Sequence, residues 1–195
     1  MLKEKSFAVF FVIAFIVATE PMFYYVMTAP YLTSAMIGVS SSAISGVMVI
    51  AQVAEIFVMA LLLPYFLPRF GIRKTLLLGI LAWPLRYFIF VIGQPAWLVI
   101  ASLSLHGFCY VFFFTAAFIY VDQVAPTDIK ASAQSLITFI TIGLGNYIGS
   151  LFAGWVQSLF TTDAGTNWRA VFAIPAMLTL LCALGFLAFF RPEKR

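Results

Sequence analysis

The chain reads as an all-α membrane protein of six transmembrane helices, and three observations carry that reading. Of its 195 residues 64% are hydrophobic and 9% charged, with a mean hydropathy of +1.07, whereas a soluble domain carries roughly 25% charged residues. The apolar residues fall in runs of about 20, the length that crosses a bilayer core. The basic residues collect between these runs.

Six spans are expected, at about 7 to 31, 43 to 66, 74 to 92, 97 to 121, 131 to 160 and 169 to 190, forming one transmembrane domain over residues 1–195. The opening Met1-Leu2-Lys3-Glu4-Lys5 imitates a secretory leader. The apolar run behind it is too long and lacks a small-residue cleavage site, so it is expected to stay as the first helix. Pro68 and Gly71 punctuate the turn after the second span, and Gly93-Gln94-Pro95 the turn after the third. Thr127 and Asp128, after Pro126, are expected to open the fifth helix, and Thr166 or Asn167 to cap the sixth. Gly145 and Gly149 in the fifth helix form a GxxxG face on which another backbone can approach closely. Pro21, Pro30, Pro84 and Pro175 fall in or near helices, where membrane helices kink rather than break.

Six helices leave both ends on one side. Lys3, Lys5, Arg69, Arg73, Lys74, Lys130, Arg191, Lys194 and Arg195, nine of the eleven basic residues, then share one face. The positive-inside rule makes that face cytoplasmic, giving a multi-pass protein of the cell (inner) membrane with both termini in the cytoplasm. The net charge of +4 therefore reports topology. No basic face suits nucleic acid, and the lipid bilayer is the partner that composition demands. Cys109 and Cys182 are too few for a disulfide framework or a metal site.

Glu55 is the one charge in its apolar run, and Gln52 lies three residues before it on the same helical face. An ionisable group at membrane depth is costly and marks a functional site by default. Antiparallel helices place residues equidistant from a turn at one height, at roughly 1.5 Å per residue. Glu55 and Arg86 are 16 and 15 positions from Gly71, Glu20 and Glu55 are 17 and 18 from Ile37, and Arg86 and His106 are each ten from Ala96. Glu20, Glu55, Arg86 and His106 are thus expected at one level on four successive helices, with Arg86 pairing either Glu55 or Glu20. They are candidates for proton coupling or for a static ion pair that fixes helix register. Ser102, His106, Tyr110 and Phe114 recur every four residues on the fourth helix, as a stripe that serves either packing or a flat ligand. Tyr24, Tyr25 and Thr28 add polar-aromatic character near Glu20. Asp122 sits at the helix end where the dipole disfavours an acid, so a partner from the basic loop of Arg69, Arg73 and Lys74 is expected, in a structural or gating role.

Enzyme chemistry finds no support: the chain has no GxSxG, no HExxH and a single histidine. No cofactor and no metal are expected.

The segments QVAEIF, LPYFLPRFGIRK, LAWPLRY, LHGFCYVFFF and IYVD, with TNWRAVF opening the last helix, resemble the nucleoside:proton symporters of the major facilitator superfamily. The resemblance covers nearly the whole chain, as the carboxy-terminal six of that family's twelve helices, and implies one half of a major-facilitator-type bundle. It implies nucleoside uptake with a proton, Gln52 and Glu55 hydrogen-bonding the nucleoside, Tyr110 and Phe114 near its base, and Tyr25 and Thr28 near further polar binding positions. The acid, Arg and His on successive helices are also similar to proton-coupled sugar symporters of the superfamily, which carry an acid three residues after the histidine where this chain has Cys109. Substrate in such proteins sits between two halves. The expected partners are therefore a nucleoside-like small molecule, a proton and a second six-helix half, supplied by another chain or by a homodimer. A non-transporting membrane fragment is the remaining alternative.

Overall fold

The computed structural model describes residues 4–191. It is all-α apart from one short hairpin, as composition requires. Five continuous helical stretches are long and apolar enough to span a membrane, and the second, Ile44–Ile92, contains two spans. Its 49 residues would make a rod of roughly 70 Å at 1.5 Å per residue, more than twice a bilayer core of roughly 30 Å. At Gly71 the backbone takes φ 77° and ψ 168°, a conformation open to glycine and strained for other residues. Glu55 and Arg86 both reach His106, so the chain folds back there.

The helices are α1 (Lys5–Thr33), α2 (44–70), α3 (72–92), α4 (Ala96–Val124), α5 (Lys130–Leu159) and α6 (Trp168–Phe189), with β1 (Thr161–Thr162) and β2 (Gly165–Thr166) pairing antiparallel before α6. Four of them widen into a π turn, at Phe23–Met27, Val58–Leu62, Tyr110–Thr115 and Phe139–Gly145. Such turns redirect the side chains that follow and recur at functional sites.

α3 lies along α6, and α1 packs on both α6 and α5. Between α1, α3 and α6 the rings of Tyr31, Phe90 and Phe172 meet at 4.9–5.1 Å, and the Tyr31 hydroxyl donates to the Phe90 carbonyl at 2.7 Å. Gly145 and Gly149 lie against Ala18 and the backbone of Thr19, where a Cβ on either glycine would collide. The expected close approach is therefore made by α1. Asn167 caps α6, its Oδ1 accepting from the Ala170 amide at 3.2 Å.

Two local expectations are corrected. Residues 127–129 form a turn and α5 starts at Lys130 without a side-chain cap, because Lys130 turns back to Asp122. That contact, 2.9 Å between Nζ and Oδ2, also replaces the expected partner from the 69–74 loop. The loop's own cations are held elsewhere. Arg69 donates to the Tyr65 hydroxyl at 2.8 Å, Arg73 to the Leu187 carbonyl at 3.0 Å, and Lys74 lies 5.8 Å from the Phe70 ring centroid. Arg73 thereby satisfies a carbonyl in the last turn of α6, where the helix dipole favours a cation. Ser6 exchanges hydrogen bonds with the Arg191 backbone at 2.8 and 3.1 Å, so the start of α1, the end of α6 and the Gly71 turn gather at one end of the bundle. Lys3, Lys194 and Arg195 lie outside the described residues.

Candidate functional site

Arg86 is fully buried. Its guanidinium lies 4.6 Å from the Tyr24 ring centroid, 4.7 Å from Trp83 and 5.2 Å from Tyr87. Three aromatic faces thus stand in for much of the lost water through cation–π attraction, an interaction worth roughly 2 kcal/mol or more when desolvated. Nη1 donates to His106 Nδ1 at 3.0 Å. The imidazole stacks on Tyr24 at 4.5 Å and 24°, and its other nitrogen, Nε2, stands 3.9 Å from Glu55 Oε2. Gly107 makes this reach possible. A Cβ there would meet the Ala54 carbonyl oxygen at 2.6 Å, so only glycine lets α4 close on α2 one residue from Glu55 and one from His106.

The expected common level is realised for Glu55, Arg86 and His106, but the pairing differs. Arg86 contacts neither carboxylate as an ion pair, and His106 stands between it and Glu55. The physical reason is position: Arg86 is sealed among rings inside the bundle, whereas the Glu55 side chain is 28% exposed, and the imidazole spans the gap. Glu20 is fully buried. Neither of its oxygens accepts a hydrogen bond, the adjacent Thr19 hydroxyl donating instead to the Ile16 carbonyl at 2.8 Å. Its backbone carbonyl accepts from Tyr87 at 2.7 Å, which holds α1 and α3 together beneath Arg86.

Around Glu55 the surface is open. Gln52 is exposed on the same helix. Tyr25 is 46% exposed with its ring 6.0 Å from His106, and Tyr110 lies 5.9 Å from His106 and 5.3 Å from Phe114. Tyr25, Tyr110 and Phe114 line a cavity of about 70 Å³ with Pro21, Thr141 and Asn146. Thr28 is buried with its hydroxyl unpartnered, and Ser102 donates to the Val99 carbonyl of its own helix at 2.7 Å. Neither stands on the open face. Arg69, Arg73, Lys74 and Asp122 belong to the basic end of the bundle and share no contact with this cluster.

Sequence reasoning passes over several participants. Trp83 and Tyr87 flank Arg86 in the chain, a signal that an intramembrane cation is boxed by rings. Asn146, the one asparagine of the fifth apolar run, marks the α5 contribution. Gly107, next to the only histidine, marks the close approach. The site as a whole offers a partly exposed carboxylate backed by an imidazole, a neighbouring amide, and aromatic faces, which suits a ligand with several hydrogen-bonding groups and one flat apolar surface.

Comparison with known proteins identifies relatives of the chain. A family model described as Nucleoside H+ symporter matches residues 1–195. YegT of Escherichia coli (strain K12), a putative nucleoside transporter by name, is 35% identical over 202 residues, covering 98% of this chain and 46% of that protein. The nucleoside permease NupG and the xanthosine permease of the same organism are each 31% identical, over 74% of this chain and 35% and 36% of theirs. Crystal structures of the nucleoside transporter NupG, one of them an aspartate-to-alanine mutant, superpose with TM-scores of 0.88 and 0.86 at 27% identity, over 97% and 98% of this chain and 50% of that one. The chain thus spans about half the length of the relatives it matches. With its fold, its intramembrane charges and the whole-length family match in agreement, the chain belongs to the nucleoside H+ symporter family.

Proposed function

We propose that this chain forms one half of a secondary transporter that takes up nucleosides together with protons, with Gln52 and Glu55 hydrogen-bonding the sugar and Tyr25, Tyr110 and Phe114 facing the base. The carrying observation is Glu55: partly exposed on an open face, next to Gln52 and an aromatic cavity, and backed by His106 and Arg86. Glu55 is the group placed to exchange a proton, because it alone of the cluster's carboxylates reaches the open surface. A cavity of about 70 Å³ falls well short of the roughly 300 Å³ or more that encloses a small ligand, which supports a second six-helix half, from another chain or a second copy, closing the site from the far side. The basic end, with Arg69, Arg73, Lys74 and Lys130, faces the cytoplasm of the inner membrane on the positive-inside argument, where the Asp122–Lys130 contact and the Gly71 turn serve as the gating region.

The test is uptake of radiolabelled uridine, adenosine and xanthosine, with a disaccharide as control, into proteoliposomes under an inward proton gradient. The chain is assayed alone and with a complementing six-helix half. Losing a hydrogen bond to a charged group costs roughly 1.5–3 kcal/mol, so Glu55→Gln is expected to lower nucleoside uptake about tenfold or more. Uptake no higher than in empty vesicles, under every combination, overturns the proposal, and uptake of the disaccharide alone replaces nucleoside with sugar.

A further inference from the structure

Arg86 can only donate hydrogen bonds, since a guanidinium has five N–H groups and no acceptor. The nitrogen it meets at 3.0 Å, His106 Nδ1, must therefore accept. An imidazole that accepts at Nδ1 is neutral and carries its one proton on Nε2, because the hydrogen bond made by one ring nitrogen decides the state of the other. That second nitrogen is buried, has no hydrogen-bond partner, and stands 3.9 Å from Glu55 Oε2. A shift of about 1 Å would bring the pair within hydrogen-bond range.

From this geometry we infer that Arg86 is a positioning residue: it fixes His106 as the neutral Nε2–H tautomer and so aims a single buried donor at the inner side of the Glu55 carboxylate. The carboxylate then has two stations. Turned inward it accepts from His106, and turned outward it is free for a ligand on the open face. Glu20 completes the device from within. Its carboxyl is fully buried and makes no hydrogen bond to Arg86, which leaves Nη1 of the guanidinium to donate to His106. The titratable groups facing the imidazole and guanidinium from the surrounding helices are Glu20, Tyr24 and Tyr25 on α1, Glu55 on α2, Tyr87 on α3, and Cys109 and Tyr110 on α4, and among the described residues none but Arg86 donates to Nδ1. The inference rests on the functional reading above only for what the ligand is. The tautomer and its cause are independent of it.

His106 is the only histidine in the chain, so 15N-histidine labelling gives one imidazole and an unambiguous spectrum. Nitrogen NMR of the full chain in nanodiscs at neutral pH is expected to show one protonated nitrogen, Nε2, and one unprotonated nitrogen, Nδ1. Glu55→Gln is expected to leave that tautomer in place, because Arg86 sets it, while moving the Nε2–H proton shift. Arg86→Lys keeps a donor and a charge and is expected to retain it, whereas Arg86→Met is expected to release a mixture of tautomers. A wild-type imidazole protonated on Nδ1 or on both nitrogens overturns the inference, as does loss of the tautomer in Glu55→Gln or its full retention in Arg86→Met. The wild-type and Glu55→Gln spectra decide the matter even if Arg86→Met does not fold. Because the readout is spectroscopic, a failed uptake assay and a wrong tautomer are separate results.

Discussion

The charged groups of this chain occupy two regions with opposite habits. At the basic end, Arg69, Arg73, Lys74, Lys130 and Asp122 find partners in exposed, watery surroundings: a hydroxyl, a helix carbonyl, a ring edge, a neighbouring ion. In the middle of the bundle, Glu20, Arg86, His106 and Glu55 come from four helices and are held by rings and a single hydrogen bond. Water offsets each charge at the basic end, so partners are interchangeable and weakly coupled. The interior has no such solvent, and every polar atom there is tied to a particular neighbour or left without one.

The contrast is sharpest at Arg86. Removing one partner of a buried hydrogen bond costs about 1–3 kcal/mol, because the remaining polar atom is left unsatisfied. Arg86→Met, which leaves His106 Nδ1 without its donor and also gives up the cation–π contacts with three rings, is expected to lose at least that much in denaturant unfolding of the detergent-solubilised protein. A loss below about 1 kcal/mol, the range of exposed ion pairs, would dissolve the distinction between the regions.

Gly107→Leu ranks next. It forces side-chain atoms into the space held by the Ala54 carbonyl, and overpacking typically costs about 1–3 kcal/mol. Separating α4 from α2 is also expected to abolish the effect of Glu55→Gln on the His106 spectrum. Unchanged stability and unchanged coupling would show that the helix contact does not hold the site together.

Glu55→Gln itself is expected to change stability by less than about 1 kcal/mol, since its side chain is partly exposed and its contact with the imidazole is long, while uptake falls. Equal losses in both would mark Glu55 as a register pin. Smallest is Asp122→Asn, whose partner Lys130 shares its exposed setting. It is expected to cost at most about 1 kcal/mol and to become neutral in high salt. A larger, salt-insensitive loss would make the basic end behave like the interior.

Much of this is legible in the chain. Long apolar runs, loop cations and equal counts from Gly71 and Ala96 place Glu55, Arg86 and His106 at one level, because helical rise is fixed and hairpins return the chain to the same height. Counting cannot say which atoms touch. That depends on how each helix is rotated, and rotation here follows from π turns, from Gly107 against Ala54 and from Gly149 against Thr19. The expected Arg86 pairing fails for that reason, since a ring interposed from a third helix has no signature in spacing. The expected partner of Asp122 fails because a short turn brings Lys130 closer than any loop across the bundle.

By itself the sequence determined that this is a membrane bundle of six spans and that Glu55, Arg86 and His106 share a depth, since hydrophobicity, chain length and helical rise act residue by residue. Only the tertiary structure decided that His106 stands between Arg86 and Glu55, that Glu20 is fully buried without pairing with Arg86, and that Glu55 alone of these acids meets the open face. Those facts depend on helix rotation and close packing, where a missing Cβ or one wide turn redirects a side chain.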